Sequence, residues 1–188
     1  MEHHLGTQMK TSRIPIREAI KRLEQDGLVE KLDKRGFVVK SVSIREVEET
    51  FGIRAVLESY AAYLATEHID EATIGKLEAS IEAYKEAMAQ GDMERLMEVN
   101  GQFHETIYRA AGSPKLYSLI NNFRDLISRY RRLLLTSREY AALSLEDHVE
   151  MVQAMREKDK NKVESLVRTH ISRGKGIIIR EMEEGKII

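Results

Sequence analysis

The chain has 188 residues, enough for one large domain or two small ones, and its 42% hydrophobic and 32% charged residues are typical of globular proteins. It has no cysteine, which excludes disulfides and thiolate metal ligands, and no apolar run of about 18 residues, which argues against a membrane-spanning helix. Its net charge of -1 gives the whole chain no preference for nucleic acids. Because it also lacks a signal-peptide pattern, we expect a cytoplasmic protein.

The charge is unevenly distributed along the chain. Between Lys10 and Lys40, nine Lys or Arg residues stand against five Asp or Glu residues, a local balance of +4, whereas residues 41–188 sum to -4. A basic front on an acidic body is typical of a footprint for phosphate groups. Charge alone leaves chance clustering on a solvated surface as an equal alternative.

The first strong pattern in the chain predicts a helix over residues 11–26. Thr11 or Ser12 can cap its start, and Pro15 lies early in the helix, where its missing N–H is tolerated. Gly27 ends the helix at a position that favours positive φ. The apolar face is predicted to consist of Ile16, Ala19, Ile20 and Leu23.

Two short strands, at 28–32 and 37–40, are predicted to follow this helix and to flank a turn at 33–36. A helix followed by a hairpin with a basic tip is typical of the second half of a winged helix-turn-helix. In that fold the helix N-terminus enters the major groove of DNA.

Four basic side chains of this segment are suited to DNA contacts. Arg13 and Arg17 are four residues apart and share one helix face, where an arginine can bind guanine through two hydrogen bonds. Lys34 and Arg35, at the tip of the hairpin, are placed to reach phosphate or the minor groove. Two arginines alone would favour a solvated helix beside a surface hairpin over a DNA-binding one.

The residues of this segment closely resemble the winged-helix signature of the GntR superfamily of transcriptional regulators. The resemblance implies that Ser12, Arg13 and Arg17 contact operator DNA with the wing residues Lys34 and Arg35, and that Gly36 permits the wing turn. In that family the DNA-binding domain begins well before the motif, so we expect residues 1–42 to form a winged helix shortened at its front. The matching stretch reads Ser12-Arg13-x-Pro15-Ile16-Arg17-Glu18-Ala19-Ile20-x-Arg22-Leu23-Glu24-x-x-Gly27-Leu28-Val29, then Arg35-Gly36-x-x-Val39.

Residues 43–188 are predicted to form an antiparallel bundle of six helices. The first apolar stripe is predicted to contain, at helical spacing, Ile53, Leu57, Tyr60, Ala61 and Leu64. The fourth helix is predicted to be long, from 113 to about 136. The residues expected to mark the six helix starts are Ser43 with Glu46, Asp70, Asp92, Ser113, Ser144 with Asp147, and Asp159.

Four polar residues interrupt the apolar stripes of three of these helices: Asn100 and His104 on one helix, His148 on a second and His170 on a third. A buried polar side chain without a partner costs on the order of 1–3 kcal/mol. A shared ion can satisfy all four at once, and imidazoles with an oxygen ligand suit zinc or nickel. Three histidines leave open positions for water or a carboxylate.

Each of these four polar residues also fits a simpler role in the core. A single inward histidine is more often a hydrogen-bonded core residue than a ligand, and Asn100 fits a hydrogen bond to the backbone. The protein could then be a metal-free structural bundle. Alternatively, three histidines with open positions also fit a metal-dependent hydrolytic enzyme, with Glu58 or Glu105 as its base.

The body of the chain, over about residues 43–185, resembles the FCD effector domain of FadR-like GntR regulators. Metal-binding members of that family use Asp or Asn followed by three histidines, which implies Asn100, His104, His148 and His170 as ligands here. Asp is the more usual first ligand, so Asn100 removes one negative charge. The matching motifs are Arg54-x-x-x-Glu58, Asn100-x-x-x-His104, Ala111-Gly112-Ser113-x-x-Leu116, Asp147-His148-x-x-Met151 and Thr169-His170-Ile171.

Members of this kind sense small carboxylates, and an arginine near the metal would complete the carboxylate site. Arg54 is a candidate for this role, with an ion pair to Glu58 as an equal alternative. The fourth helix carries several further arginines, and the sequence does not identify which of them enters the bundle: Arg124, Arg129, Arg131 and Arg132.

Together the patterns predict a mostly α-helical protein, with a partial winged helix-turn-helix in residues 1–42 and a six-helix antiparallel bundle in residues 43–188. The resemblances imply a homodimeric, ligand-responsive transcriptional regulator. Its expected partners are operator DNA, a divalent metal and a small organic acid.

Overall fold

The computed structural model divides the chain into two compact units, one up to Ser43 and the other from Ile44 onward. The residues that the structure describes are 2–25, 29–32, 36–39 and 43–185. The predicted wing-tip residues Lys34 and Arg35 lie outside these ranges.

The amino-terminal unit contains two helices and a hairpin. Its strands pair antiparallel, with Val29 opposite Val39 and Leu32 opposite Gly36. Gly36 adopts a φ of 99°, which explains why the predicted wing turn needs glycine there. The elements are α1 (Glu2–Gln8), α2 (Arg13–Gln25), β1 (Val29–Leu32) and β2 (Gly36–Val39).

Helix α1 was not predicted, and a tight turn joins it to α2. The Thr11 amide donates to the Gly6 carbonyl at 2.9 Å, and Lys10 is left-handed, with a φ of 51°. A Cβ on Gly6 would lie 3.0 Å from the Thr11 carbonyl oxygen, so glycine permits this close approach. The segment is therefore a helix-turn-helix.

The buried face of α2 is narrower than its sequence predicted. Ile16 and Ile20 are buried, but Ala19 is exposed and Leu23 is 39% exposed. Helix α2 contacts α1 and β1, two short elements that cover only part of its apolar surface.

The second unit consists, in the described residues, of helices only. Helix α3 packs along α9, α5 packs on α3 and α4, and α8 packs on α4 and α9. No described helix combines the length and hydropathy that a membrane span requires. The helices are α3 (Ile44–His68), α4 (Glu71–Gln90), α5 (Met93–Ala110), α6 (Pro114–Asn121), α7 (Arg124–Leu135), α8 (Arg138–Arg156) and α9 (Lys160–Glu183).

Most of the predicted helix starts are confirmed by side-chain caps. The Asp70 and Asp92 carboxylates accept from the amides three residues later, at 2.8 and 2.9 Å. Ser113 and Asp159 cap α6 and α9 in the same way. These capping residues mark where successive helices of the bundle begin.

Two predicted boundaries are wrong, and the bundle has seven described helices rather than six. The predicted long fourth helix is two helices, α6 and α7. The helix ends at Asn121, and Asn122 follows it, because asparagine favours helix caps over helix interiors. The fifth helix begins at Arg138 rather than near Ser144, because Ser137 already caps the Tyr140 amide.

The apolar stripe predicted for α3 is only partly buried. Ala61 is buried and Leu57 and Leu64 are half-buried, but Ile53 is 43% exposed and Tyr60 is 51% exposed. The buried face also carries Arg54 and Glu58, 6% and 1% exposed, which form an ion pair among apolar side chains.

Candidate metal centre

Three histidines from three helices converge inside the bundle. His104 lies on α5, His148 on α8 and His170 on α9, and all three are buried. Their ring centroids are separated by 5.1 to 5.5 Å, and one nitrogen of each ring lies within 4.8 Å of the others. That spacing would allow one ion to contact all three rings.

The ring of His148 is fixed by aromatic neighbours. Phe103 stacks against it with centroids 4.0 Å apart and planes 15° apart, and the ring of Tyr84 meets it edge-on at 5.7 Å. Packing of this kind leaves an imidazole little freedom to rotate away from a bound ion.

The ring of His170 is oriented by a carboxylate. Its Nδ1 lies 2.9 Å from Asp147, and Arg173 donates to both oxygens of the same carboxylate at 2.7 and 2.6 Å. Burial alone would raise the pKa of Asp147, but the hydrogen bonds and charges of His170 and Arg173 lower it. An ionised carboxylate only accepts, so Nδ1 carries the proton and Nε2 keeps its lone pair for a metal.

Two buried polar atoms of these residues have no hydrogen-bond partner among the described residues. These are Nε2 of His148 and Oδ1 of Asn100, whose residue is 2% exposed. Each such atom costs on the order of 1–3 kcal/mol when left unsatisfied. Both are atom types that coordinate divalent metals, so the residues present fit a metal ion.

The surroundings of His104 and His148 favour their neutral forms. Burial lowers the pKa of His104 and of His148 well below the ordinary value, and the positive charge of Arg131 lowers both further. A neutral imidazole is the form that binds metal.

A small chamber of about 20 Å³ lies beside the histidines, and Asn100, His104 and His170 line it. Arg54 also lines it, while its Nε donates to Glu58 at 2.7 Å. The position of Arg54 is therefore compatible both with a carboxylate contact and with the ion pair to Glu58.

The carboxylate of Glu58 is held by two donors in the interior. Besides Arg54, the Tyr108 hydroxyl donates to its second oxygen. Burial by itself raises the pKa of Glu58, but the charge and hydrogen bond of Arg54 outweigh this and lower it. Glu58 is therefore an ionised carboxylate in a fully paired network.

A second arginine, which the sequence did not single out, also lines the chamber. Nη2 of Arg131 on α7 is buried without a hydrogen-bond partner among the described residues. Arg131 lies four residues after Ile127 and three before Leu134, both buried. The spacing rule that found the histidines could therefore have found it.

The predicted DNA contacts lie in the amino-terminal unit. Ser12, Arg13 and Arg17 are exposed at and just after the start of α2. The start of its second helix is where a helix-turn-helix presents side chains to the major groove. Gly36, the predicted wing residue, begins β2.

Comparison with known proteins identifies the family. Residues 49–173 match the FCD domain family, and residues 1–39 match the family described as bacterial regulatory proteins, gntR family. The HTH-type transcriptional regulator YdhC of Bacillus subtilis (strain 168) is 30% identical over 186 residues, which cover 98% of this chain and 83% of that protein. The HTH-type transcriptional repressor RspR of Escherichia coli (strain K12) is 24% identical over 170 residues, which cover 90% of this chain and 75% of that protein.

Solved structures share the fold. The E. coli McbR/YncC structure superposes with a TM-score of 0.80 at 24% identity, covering 97% of this chain and 87% of that one. The metal-free FCD domain of TM0439 superposes with a TM-score of 0.63 at 18% identity, covering 77% of this chain and 99% of that one. The three-histidine pattern also suited a hydrolytic enzyme, but the relatives are transcriptional regulators. The chain belongs to the GntR family of DNA-binding bacterial transcriptional regulators and carries an FCD domain.

Proposed function

We propose that the FCD domain binds one divalent metal, zinc or nickel, through Asn100, His104, His148 and His170. The observation that carries the proposal is the convergence of three buried imidazoles, one nitrogen of each lying within 4.8 Å of the others, together with two buried polar atoms that lack partners among the described residues. Asn100 contributes a neutral oxygen, so the ligand set has no net charge and the metal keeps its full positive charge. When bound, the metal would supply an open coordination position for an anion.

The effector in this proposal is a small carboxylate. Nη2 of Arg131 needs a hydrogen-bond acceptor, and an effector oxygen at the chamber would provide one. Arg54 adds a second positive charge while it holds Glu58. A carboxylate placed between a metal and guanidinium groups would have both its oxygens satisfied.

Regulation follows if the effector favours one arrangement of a homodimer. Two winged helices would bind a palindromic operator, with Ser12, Arg13 and Arg17 at the bases and Lys34, Arg35 and Gly36 in the wing. A difference of about 1–3 kcal/mol in effector affinity between two arrangements would change operator binding roughly 5- to 150-fold. Because bacterial operators lie in the cytoplasm, the protein would work there.

The outer face of α3 is the surface we propose for the dimer. Ile53, Val56 and Tyr60 are 43%, 54% and 51% exposed, and their spacing places them on one side of the helix. A second copy of the same face would bury these side chains in a self-complementary contact. Light scattering tests this: Val56→Glu should give monomers, whereas Val149→Glu on α8, where Val149 is 44% exposed, should leave the dimer intact.

Metal binding is tested by calorimetry and elemental analysis. Chelator-stripped protein should take up one zinc per chain, and His148→Ala should lose most of this binding. His68→Ala removes an exposed histidine at the end of α3 and should bind zinc like the wild type. Equal zinc binding by His148→Ala and wild type would refute the proposed ligand set.

A further inference from the structure

A second cavity, here called the side cavity, lies between α5, α6 and α7. Its volume is about 170 Å³. Its walls are mainly apolar and aromatic, and its polar lining includes Glu98 and Glu105. The residues that form most of the wall are Met97, Gly101, Tyr108, Tyr117, Ile120 and Ile127.

The side cavity and the metal chamber are neighbours. Arg131 lines both of them. Tyr108 lines the side cavity and donates to Glu58, the partner of Arg54 at the chamber. Gly101, in the wall of the side cavity, directly follows Asn100 of the chamber.

The two spaces differ greatly in capacity. The chamber, at about 20 Å³, has room for roughly one water molecule beside the histidines. The side cavity has about the volume of a protein cavity that holds benzene. An acid larger than acetate therefore needs another space for its hydrocarbon part, and the side cavity is an adjoining space of suitable size.

We propose that the side cavity takes the apolar body of a monocarboxylic acid whose carboxylate is held at Arg131, beside the metal centre. The inference rests on the proposed function and narrows its effector to acids with a chain of about six carbons or a single ring. Nη2 of Arg131, which lacks an acceptor among the described residues, is the anchor that links the two spaces.

The charges around the side cavity select one carboxylate rather than two. Glu98 accepts from Arg95 and Gln102, and Glu105 accepts from Tyr117 and pairs with Arg109. The cations of Arg95 and Arg109 are therefore already paired, so a second effector carboxylate placed beside Glu98 and Glu105 would gain no unpaired cation from them. A dicarboxylate of equal length should therefore bind less well than a monocarboxylate.

Gly101 offers a way to fill the side cavity from its wall. A Cβ built there lies 3.8 Å from Nη1 of Arg131, which is an ordinary contact. Gly101→Leu therefore starts from an uncrowded Cβ, and its longer side chain should reduce the volume of the cavity. Gly75→Leu is the matched control, because Gly75 is exposed on α4 and a Cβ there meets no described atom within 4 Å.

The experiment titrates the zinc-loaded protein with acetate, hexanoate and adipate by calorimetry. We expect hexanoate to bind at least about tenfold more tightly than acetate, because each buried methylene adds hydrophobic free energy, and more tightly than adipate. Gly101→Leu should lose the preference for hexanoate while it keeps zinc and acetate binding, and Gly75→Leu should behave like the wild type. Ile120→Ala should extend the preference to octanoate, because it enlarges the cavity.

Two outcomes would overturn the inference in distinguishable ways. If acetate binds but hexanoate binds no better, or if Gly101→Leu binds zinc and keeps the hexanoate preference, the side cavity does not hold the effector and the proposed function still stands. If neither acid binds the zinc-loaded wild type, the proposed carboxylate effector fails and this inference fails with it.

Discussion

The two functional regions of this regulator place their polar side chains in opposite environments. In the amino-terminal unit, Arg13 and Arg17 are exposed on α2. In the FCD domain, the histidines and the Arg54–Glu58 pair are buried. Buried polar groups lower folding stability unless a partner satisfies them, whereas exposed arginines are solvated already. Ligands of the FCD domain should therefore change its stability, and changes to the DNA contacts should not.

The largest expected effect on stability comes from breaking the buried ion pair. Arg54→Met would leave Glu58 charged and without its cation, which should lower the free energy of unfolding by about 3–5 kcal/mol. Arg45→Met is the matched control, since Arg45 pairs with Glu49 on the same helix at the same spacing but in solvent. Urea denaturation of both variants measures the difference. Similar losses in the two variants would contradict the contrast between buried and exposed pairs.

Zinc should give the next largest effect, because it would satisfy the buried acceptors of Asn100 and His148. At a free zinc concentration roughly a thousandfold above the dissociation constant, folding should gain about 4 kcal/mol. Calorimetric melting with and without zinc measures this, and a chelator should reverse it. Magnesium, which prefers oxygen ligands, serves as the control ion. An unchanged melting temperature would mean that zinc does not bind the folded domain.

A smaller effect is expected from the carboxylate behind His170. Asp147→Asn keeps the shape of the side chain but removes the charge that orients the ring, so zinc affinity should fall roughly 10- to 100-fold. Glu146→Gln changes the adjacent, exposed carboxylate and should leave zinc affinity unchanged. Zinc competition against a chromophoric chelator measures both. If Asp147→Asn binds zinc like the wild type, the carboxylate has no part in positioning His170.

The DNA contacts should have the smallest effect on stability. Arg13→Ala should weaken operator binding by about 1–3 kcal/mol and leave the unfolding curve unchanged. Arg22→Ala, on the same helix but turned about 180° from Arg13, is the control for charge. Fluorescence anisotropy with a duplex selected from random sequence measures the affinity. A destabilised Arg13→Ala protein would show that the exposed and buried regions do not differ as described.

Much of this fold was predictable because short polar residues mark where helices begin. Asp70, Asp92, Ser113 and Asp159 each cap a helix start that the sequence indicated. The break at Asn122 was missed, since the residues on either side keep a helical apolar pattern across it. Local signals thus located the elements, but they did not report tertiary contacts.

The candidate site was predictable in part, because inward polar residues interrupt apolar stripes. That rule found the three histidines, and it also holds for Arg131, whose neighbours Ile127 and Leu134 are buried in the same way. The ion pair between Arg54 and Glu58 was one of two alternatives given by their spacing, but the burial of Glu58 was not predicted, because charged residues are rarely buried. Burial depends on which other helices pack against that face, and the sequence of one helix does not report this.

The three imidazoles come from α8 and α9, which are consecutive helices, and from α5, which lies much earlier in the chain. The ring of His104 joins the other two only when α5 has docked, so a nascent or partly folded chain has no complete set of ligands to offer. An ion that joins them would therefore act after the rate-limiting step of folding. The bound ion should lower the rate of unfolding, and so lengthen the lifetime of the folded regulator, while leaving the rate of folding almost unchanged.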